Sequence, residues 1–309
     1  MKMIEPNFRP TRRAVLTAAL GIGVLAALPG VARAGTGGAN GSLAFDGDAL
    51  LSAGGTLSTS TDGGATWSER ALPGRVLALA THRDRPGRVV AGLAEGGVGF
   101  SEDGGATWRV GTAGLPDGAV NAVAIGSRDP DLIYAAIPGD GLYKSEDAGE
   151  SWTLAMDRPW LDEAERDPLA LVSVDLDTGM GGIWIYAGTE TGLTRVPDCF
   201  CRWQDVQPGN AMDALVAGDA PPPENPLPAG EPVLSLASSP SSPERLYAAL
   251  PSGLWASRDG GVVWTQIVEE SASAVAVHPE DETYVAAIVG DALKLSRDSG
   301  MTWTAAAAK

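Results

Sequence analysis

The feature that most constrains this chain is an eight-residue stretch, Ser-Glu-Asp-Gly-Gly-Ala-Thr-Trp at 101–108. It returns with its spacing intact at 60–67, 145–152, 257–264 and 296–303, and in altered form at 196–203. In all six copies an Asp stands five residues before a Trp: Asp62 and Trp67, Asp103 and Trp108, Asp147 and Trp152, Asp198 and Trp203, Asp259 and Trp264, Asp298 and Trp303. Asp followed by Gly-Gly, Ala-Gly or Ser-Gly is turn chemistry. Gly adopts positive φ without steric cost, and the carboxylate accepts hydrogen bonds from backbone N–H groups just ahead of it. The Trp opens the returning strand and can bury about 200 Å² over the hairpin. Each copy therefore reads as a structural clamp. One carboxylate per copy falls short of the roughly six to eight oxygens that a calcium ion takes.

Between the hairpins the sequence cycles through four short alternating runs. In the third unit these are Asn121 to Ile125, Leu132 to Ile137, Gly141 to Ser145 and Ser151 to Ala155. Four strands per unit predict a propeller blade. The expected fold is all-β, a six-bladed β-propeller of four-stranded antiparallel blades at about 41–72, 73–116, 117–157, 168–206, 230–270 and 271–309. The first blade is the thinnest, so a seventh, composite blade joining the two ends is the alternative. The second runs share a signature in which Tyr134, Tyr186, Tyr247 and Tyr284 recur, and these read as packing residues between blades.

The six hairpins resemble the Asp-box, or bacterial neuraminidase repeat, of sialidases, sortilin-type receptors, xyloglucan-cleaving endoglucanases and the photosystem II assembly-factor family. The regularity of the repeats is closest in character to the exported assembly-factor-like propellers. The resemblance spans nearly the whole chain after residue 34. It implies a propeller with the boxes at peripheral hairpins, away from any active site.

Residues 1–34 have the form of an export signal. Thr11-Arg12-Arg13-Ala14-Val15-Leu16-Thr17 matches a twin-arginine motif; an apolar run to Leu28 and the small-residue site Ala32-Arg33-Ala34 follow. The expectation is cleavage after Ala34, a periplasmic or otherwise exported location, and a single propeller domain over 35–309. The apolar run of about 15 residues is short of the ~20 that span a bilayer. The whole sequence has a net charge of −17; without the first 34 residues, 17 basic face 38 acidic side chains, a net charge of −21. Such acidity argues against nucleic acid and anionic membranes as partners and favours basic partners or cations. A monomer is expected.

Antiparallel strand order puts the six boxes on the face that also carries the turns after the first strands. The other face collects the turns containing Glu95, Asp140, Glu190 and Asp291, together with the connections between blades. Two connections are long: 157–168, which holds Trp160 in an acidic stretch, and the proline-rich 207–232. Long loops on a rigid scaffold commonly carry binding, which makes this face the expected partner surface. The fourth blade is also distinguished by its box, Val-Pro-Asp-Cys-Phe-Cys-Arg-Trp, where Cys199 and Cys201, the only cysteines, bracket Phe200. The pair admits two readings: a disulfide that stiffens the altered turn, or ligation of a soft metal such as Cu(I). No other cofactor is expected.

Sialidase chemistry needs an arginine cluster to grip a carboxylate, with a Tyr nucleophile and acidic partners. Here the arginines fall in turns and the tyrosines in packing strands, so no catalytic residue is assigned. The favoured function is a non-catalytic scaffold for an exported protein partner. A glycan-binding or glycoside-hydrolase propeller is the alternative, and a metal-linked role for the cysteines a further one.

Overall fold

The computed structural model describes residues 41–179, 181–207 and 224–306. The export segment inferred at 1–34 and residues 208–223 of the second long connection lie outside the described residues. Among the described residues, no helix is long and apolar enough to cross a membrane.

The chain forms a six-bladed β-propeller. Blade one comprises Ser42–Asp46, Ala49–Ala53, Leu57–Ser60 and Ser68–Arg70. Blade two comprises Val76–Thr81, Val89–Leu93, Val98–Ser101 and Arg109–Gly111. Blade three runs through Ala122–Gly126, Asp129–Ile137, Gly141–Ser145 and Thr153–Asp157. Blade four has Pro168–Val174, Trp184–Thr189 and Leu193–Pro197. Blade five has Ser235–Ser239, Ser242–Leu250, Gly253–Ser257 and Trp264–Val268. Blade six has Ala272–Val277, Val285–Val289, Ala292–Ser296 and Thr304–Ala305. Strands within a blade pair in chain order, all antiparallel.

The core is divided among the spaces between blades. Side chains alternate across a strand, so a strand covered on both faces reads as a continuous apolar run; Val89–Leu93 and Val285–Val289 are buried at every position. Val89 and Ala91 pack toward blade one, while Val90 packs with Val123 and Ile133 of blade three. The ring closes in the same way. Leu43, Phe45 and Leu50 of blade one pack against Ala274, Ala276 and Ile288 of blade six, and Ser42–Asp46 lies between Val76–Thr81 and Ala272–Val277. Blade one draws all four strands from 42–70, so the described residues form no seventh, composite blade.

Two expectations are corrected. Tyr284 does not share the register of the other recurring tyrosines. Leu246 and Val285 each pair with the Ser that opens their hairpin, Ser257 and Ser296, so the counterpart of Tyr247 is Ala286. Tyr284 instead sits before its strand, its ring 5.0 Å from Phe45 and 5.6 Å from His278. Blade four, in turn, has three strands, with its fourth reduced to an isolated bridge between Arg195 and Gln204. The cause is the altered hairpin described next.

Candidate functional site

Four of the hairpins share one clamp. In the copy at 101–108, Ser101 Oγ and Thr107 N both donate to Asp103 Oδ1 at 2.8 Å, and Thr107 Oγ1 donates to Oδ2 at 2.7 Å. Gly105 N donates to Ser101 Oγ, and Trp108 Nε1 to Gly105 O. Asp62, Asp147 and Asp298 accept the same set from their own Ser and Thr or Ser partners. These donors, the Thr or Ser hydroxyl foremost, hold all four carboxyls down at about 2. Asp259 has Val263 where the others have a hydroxyl, and accepts instead from the backbone of Val262 and Val263.

Trp67, Trp108, Trp264 and Trp303 all donate to the carbonyl of their own turn glycine. Trp152 is buried with Nε1 unpartnered. Trp203 turns away from its own hairpin, and its Nε1 donates to Asp157 O of blade three at 2.7 Å. In that altered copy Cys199 and Cys201 are joined as a disulfide, and Asp198 N donates to Ile183 O. With Trp203 drawn to the neighbouring blade, only Gln204 reaches Arg195, and the fourth strand stops at one bridge. Among the described residues no group of three or more His, Cys, Asp or Glu is arranged to hold a metal ion.

The residues expected at the partner face sit in separate turns. Glu95 Oε2 accepts from Arg75 N at 3.0 Å, and Asp140 Oδ1 accepts from Tyr143 Oη at 2.6 Å. Burial and then the Asp140 hydrogen bond push the Tyr143 phenol up to about 12. Glu190 and Asp291 are exposed in the corresponding turns of blades four and six. Trp160 belongs to an added hairpin, Trp160–Leu161 with Ala164–Glu165. Its two-residue turn, Asp162-Glu163, has φ of +49° and +62°, values that two-residue hairpins require and that glycine and asparagine usually supply. Arg158 fastens the hairpin through Glu165 and Asp167, and Asp167 Oδ1 accepts from Gly139 N at 2.8 Å. Trp160 and Asp140 therefore share one locality; Glu95, Glu190 and Asp291 are carried by other blades.

The second long connection is not confined to that face. Beyond the stretch outside the described residues, Asn225 bridges to Val263 at the hairpin of blade five, with its side-chain amide on Trp264 O at 2.6 Å. The chain then crosses between blades four and five, burying Leu227, until Gly230 N donates to Thr191 O in the turn after the second strand of blade four.

Sequence reasoning missed a cavity of about 460 Å³ at the mouth of the central channel, on the hairpin side. Turns after the first strands line it, with His82, Arg83, Ser127, Arg128, Asp175 and Ser239 contributing. Arg83 reaches from blade two to Pro240 O of blade five at 3.1 Å and to Glu280 of blade six. Arg128 donates to Asp175 Oδ1 at 2.6 Å and to Gly181 O. Both guanidinium groups are thus engaged within the protein. His82 and His278 each accept a backbone N–H at Nδ1, two residues on. The Nε2 of His278 meets Asp48 at 3.1 Å, whereas that of His82 is buried without a partner. No periodicity signals this mouth, because its residues are read as turn residues one blade at a time.

No protein-family model and no curated protein matches the chain in sequence. Solved structures do match in shape. A protein of unknown function from Bacteroides thetaiotaomicron superposes at a TM-score of 0.60 with 10% identity, covering 82% of this chain and 68% of its own. The GH74 xyloglucanase from Xanthomonas campestris superposes at 0.50 with 19% identity, covering 84% of this chain and 45% of its own. YCF48 from Cyanidioschyzon merolae superposes at 0.49 with 18% identity, covering 82% and 80%. The chain spans less than half the length of the xyloglucanase. At such identities the likeness establishes the fold alone, that of a β-propeller.

Proposed function

We propose that this chain is an exported, non-catalytic propeller that holds a protein partner at the surface beside its third and fourth blades. The observation that carries this reading is Trp160, which is 66% exposed on a hairpin held rigid by Arg158 and Asp167. A large aromatic displayed on a fastened element, with only two side-chain torsions to fix on binding, is the type of residue that anchors protein interfaces. Asp162 and Glu163 at its tip, in an already acidic protein, favour a partner with a basic rim around an apolar pocket.

The test compares the intact protein with Trp160→Ala and with a variant lacking 159–166, each used to capture partners from a periplasmic extract. A protein retained by the intact chain and lost from both variants supports the docking reading. Equal retention by all three overturns it, as does release of sugar from a panel of chromogenic glycosides.

A further inference from the structure

Cys199 and Cys201 are bonded to one another and both are exposed. Between them Phe200 has φ of +51°, in the left-handed region that residues with a side chain avoid. The other five copies place glycine there: Gly64, Gly105, Gly149, Gly261 and Gly300. The preceding blade explains why. A Cβ at Gly105 would lie 2.1 Å from Leu57 Cδ2, and one at Gly149 2.0 Å from Phe100 Cζ. In blade four Phe200 itself packs toward the preceding blade, its ring 6.0 Å from that of Tyr134 and 5.7 Å from Lys144 Nζ. The turn therefore holds a bulky residue in a glycine conformation, and the two cysteines whose covalent bond spans it are exposed residues. Arg202, exposed as well, follows Cys201 directly.

We propose that the Cys199–Cys201 disulfide is a thiol–disulfide exchange site that takes electrons from dithiol substrates. A substrate thiolate attacks Cys199 Sγ, the Sγ–Sγ bond breaks, and its electron pair leaves on Cys201 Sγ as a thiolate, with the cationic Arg202 the next residue in the chain. The second thiolate of the substrate then attacks the substrate sulfur of the mixed disulfide. This closes the substrate disulfide and releases the Cys199 thiolate. Two electrons pass from the dithiol to the cysteine pair, and each cysteine thiolate takes up one proton below its pKa. Both cysteine residues are exposed, so the two arms of the test compare a small thiol with a protein thiol. The proposal stands apart from the docking surface, since neither Trp160 nor its hairpin takes part.

The folded protein is incubated with reduced glutathione in one arm and with a reduced thioredoxin-type protein in the other, then quenched, alkylated and weighed intact. Circular dichroism is followed in parallel. The expected result is a gain of two alkyl groups with an unchanged propeller spectrum, and a trapped adduct that maps to Cys199. A thioredoxin-type protein whose second active-site cysteine is replaced by serine is expected to remain on the intact chain as a stable mixed disulfide, because no second thiolate is left to release it. Opening in both arms identifies a general thiol acceptor, and opening only with the thioredoxin-type protein identifies a protein dithiol as substrate. A disulfide that stays closed in both arms until denaturant unfolds the chain overturns the proposal. An adduct on Cys201 overturns the assigned direction of attack.

Discussion

Tyr186 Oη, on the second strand of blade four, donates a 2.7 Å hydrogen bond to Gly260 O in the hairpin of blade five. Tyr247 Oη likewise donates to Ser299 O in the hairpin of blade six. Blades one and two have Leu51 and Val90 in that register, and there arginines from the fourth strand take over. Arg70 donates to Gly104 O at 2.6 Å and Arg109 to Ala148 O. All four acceptors belong to the residue directly after a hairpin Asp, and all have positive φ: Gly104 +67°, Ala148 +59°, Gly260 +72° and Ser299 +60°. Left-handed backbone at one turn position thus aims a carbonyl at the preceding blade, and either a phenol or a guanidinium reaches it.

Removing one such tie has a defined cost. Tyr186→Phe deprives buried Gly260 O of its donor and is expected to lower stability by about 1–2 kcal/mol. A lower urea midpoint with an unchanged m-value is the readout. An unchanged midpoint shows that the tie is not stabilising.

The hairpin carboxylates set the acid limit. Asp62, Asp103, Asp147 and Asp298 have folded-state values lowered from 3.8 to about 2. Their contribution is present above the unfolded value and is lost as pH falls through the folded one. Acid unfolding followed by circular dichroism should therefore fall between about pH 4 and pH 2. Asp103→Asn should show a shallower pH dependence in that window; a superimposable curve refutes the link.

Two neighbouring residues of one turn should respond in opposite directions. Ala148 sits at φ +59° where three other copies carry glycine, so Ala148→Gly is expected to stabilise by about 0.5–1 kcal/mol. Gly149→Ala combines a left-handed backbone with a Cβ 2.0 Å from Phe100 and is expected to cost about 2–4 kcal/mol. Thermal or urea melts of the two variants give the comparison directly.

Trp160 offers the contrast of a large side chain that does not hold the fold. Because it is 66% exposed, Trp160→Ala should change stability by less than about 0.5 kcal/mol. Arg158→Ala, which unfastens the same hairpin from Glu165 and Asp167, should make the chain between 158 and 167 more open to limited proteolysis. Equal cleavage in both proteins means that the ion pairs do not order the hairpin.

What the sequence by itself determined is the hairpin, the four-strand rhythm and the count of six, because each depends on contacts within a few residues. The clamp around Asp103 is complete within the eight residues from Ser101 to Trp108. The tertiary structure alone decided what happens between blades. Arg83 meets Pro240 across the central mouth, 157 residues apart in the chain, and Trp203 leaves its own turn for Asp157, so that blade four ends in one bridge rather than a strand. Tyr284 drops out of the tyrosine register for the same kind of reason, its place being set by Phe45 and His278 from the two blades that meet there. Local turn chemistry repeats with the sequence. Packing across the ring joins residues whose separation no periodicity encodes, and it is there that this propeller's individual features arise.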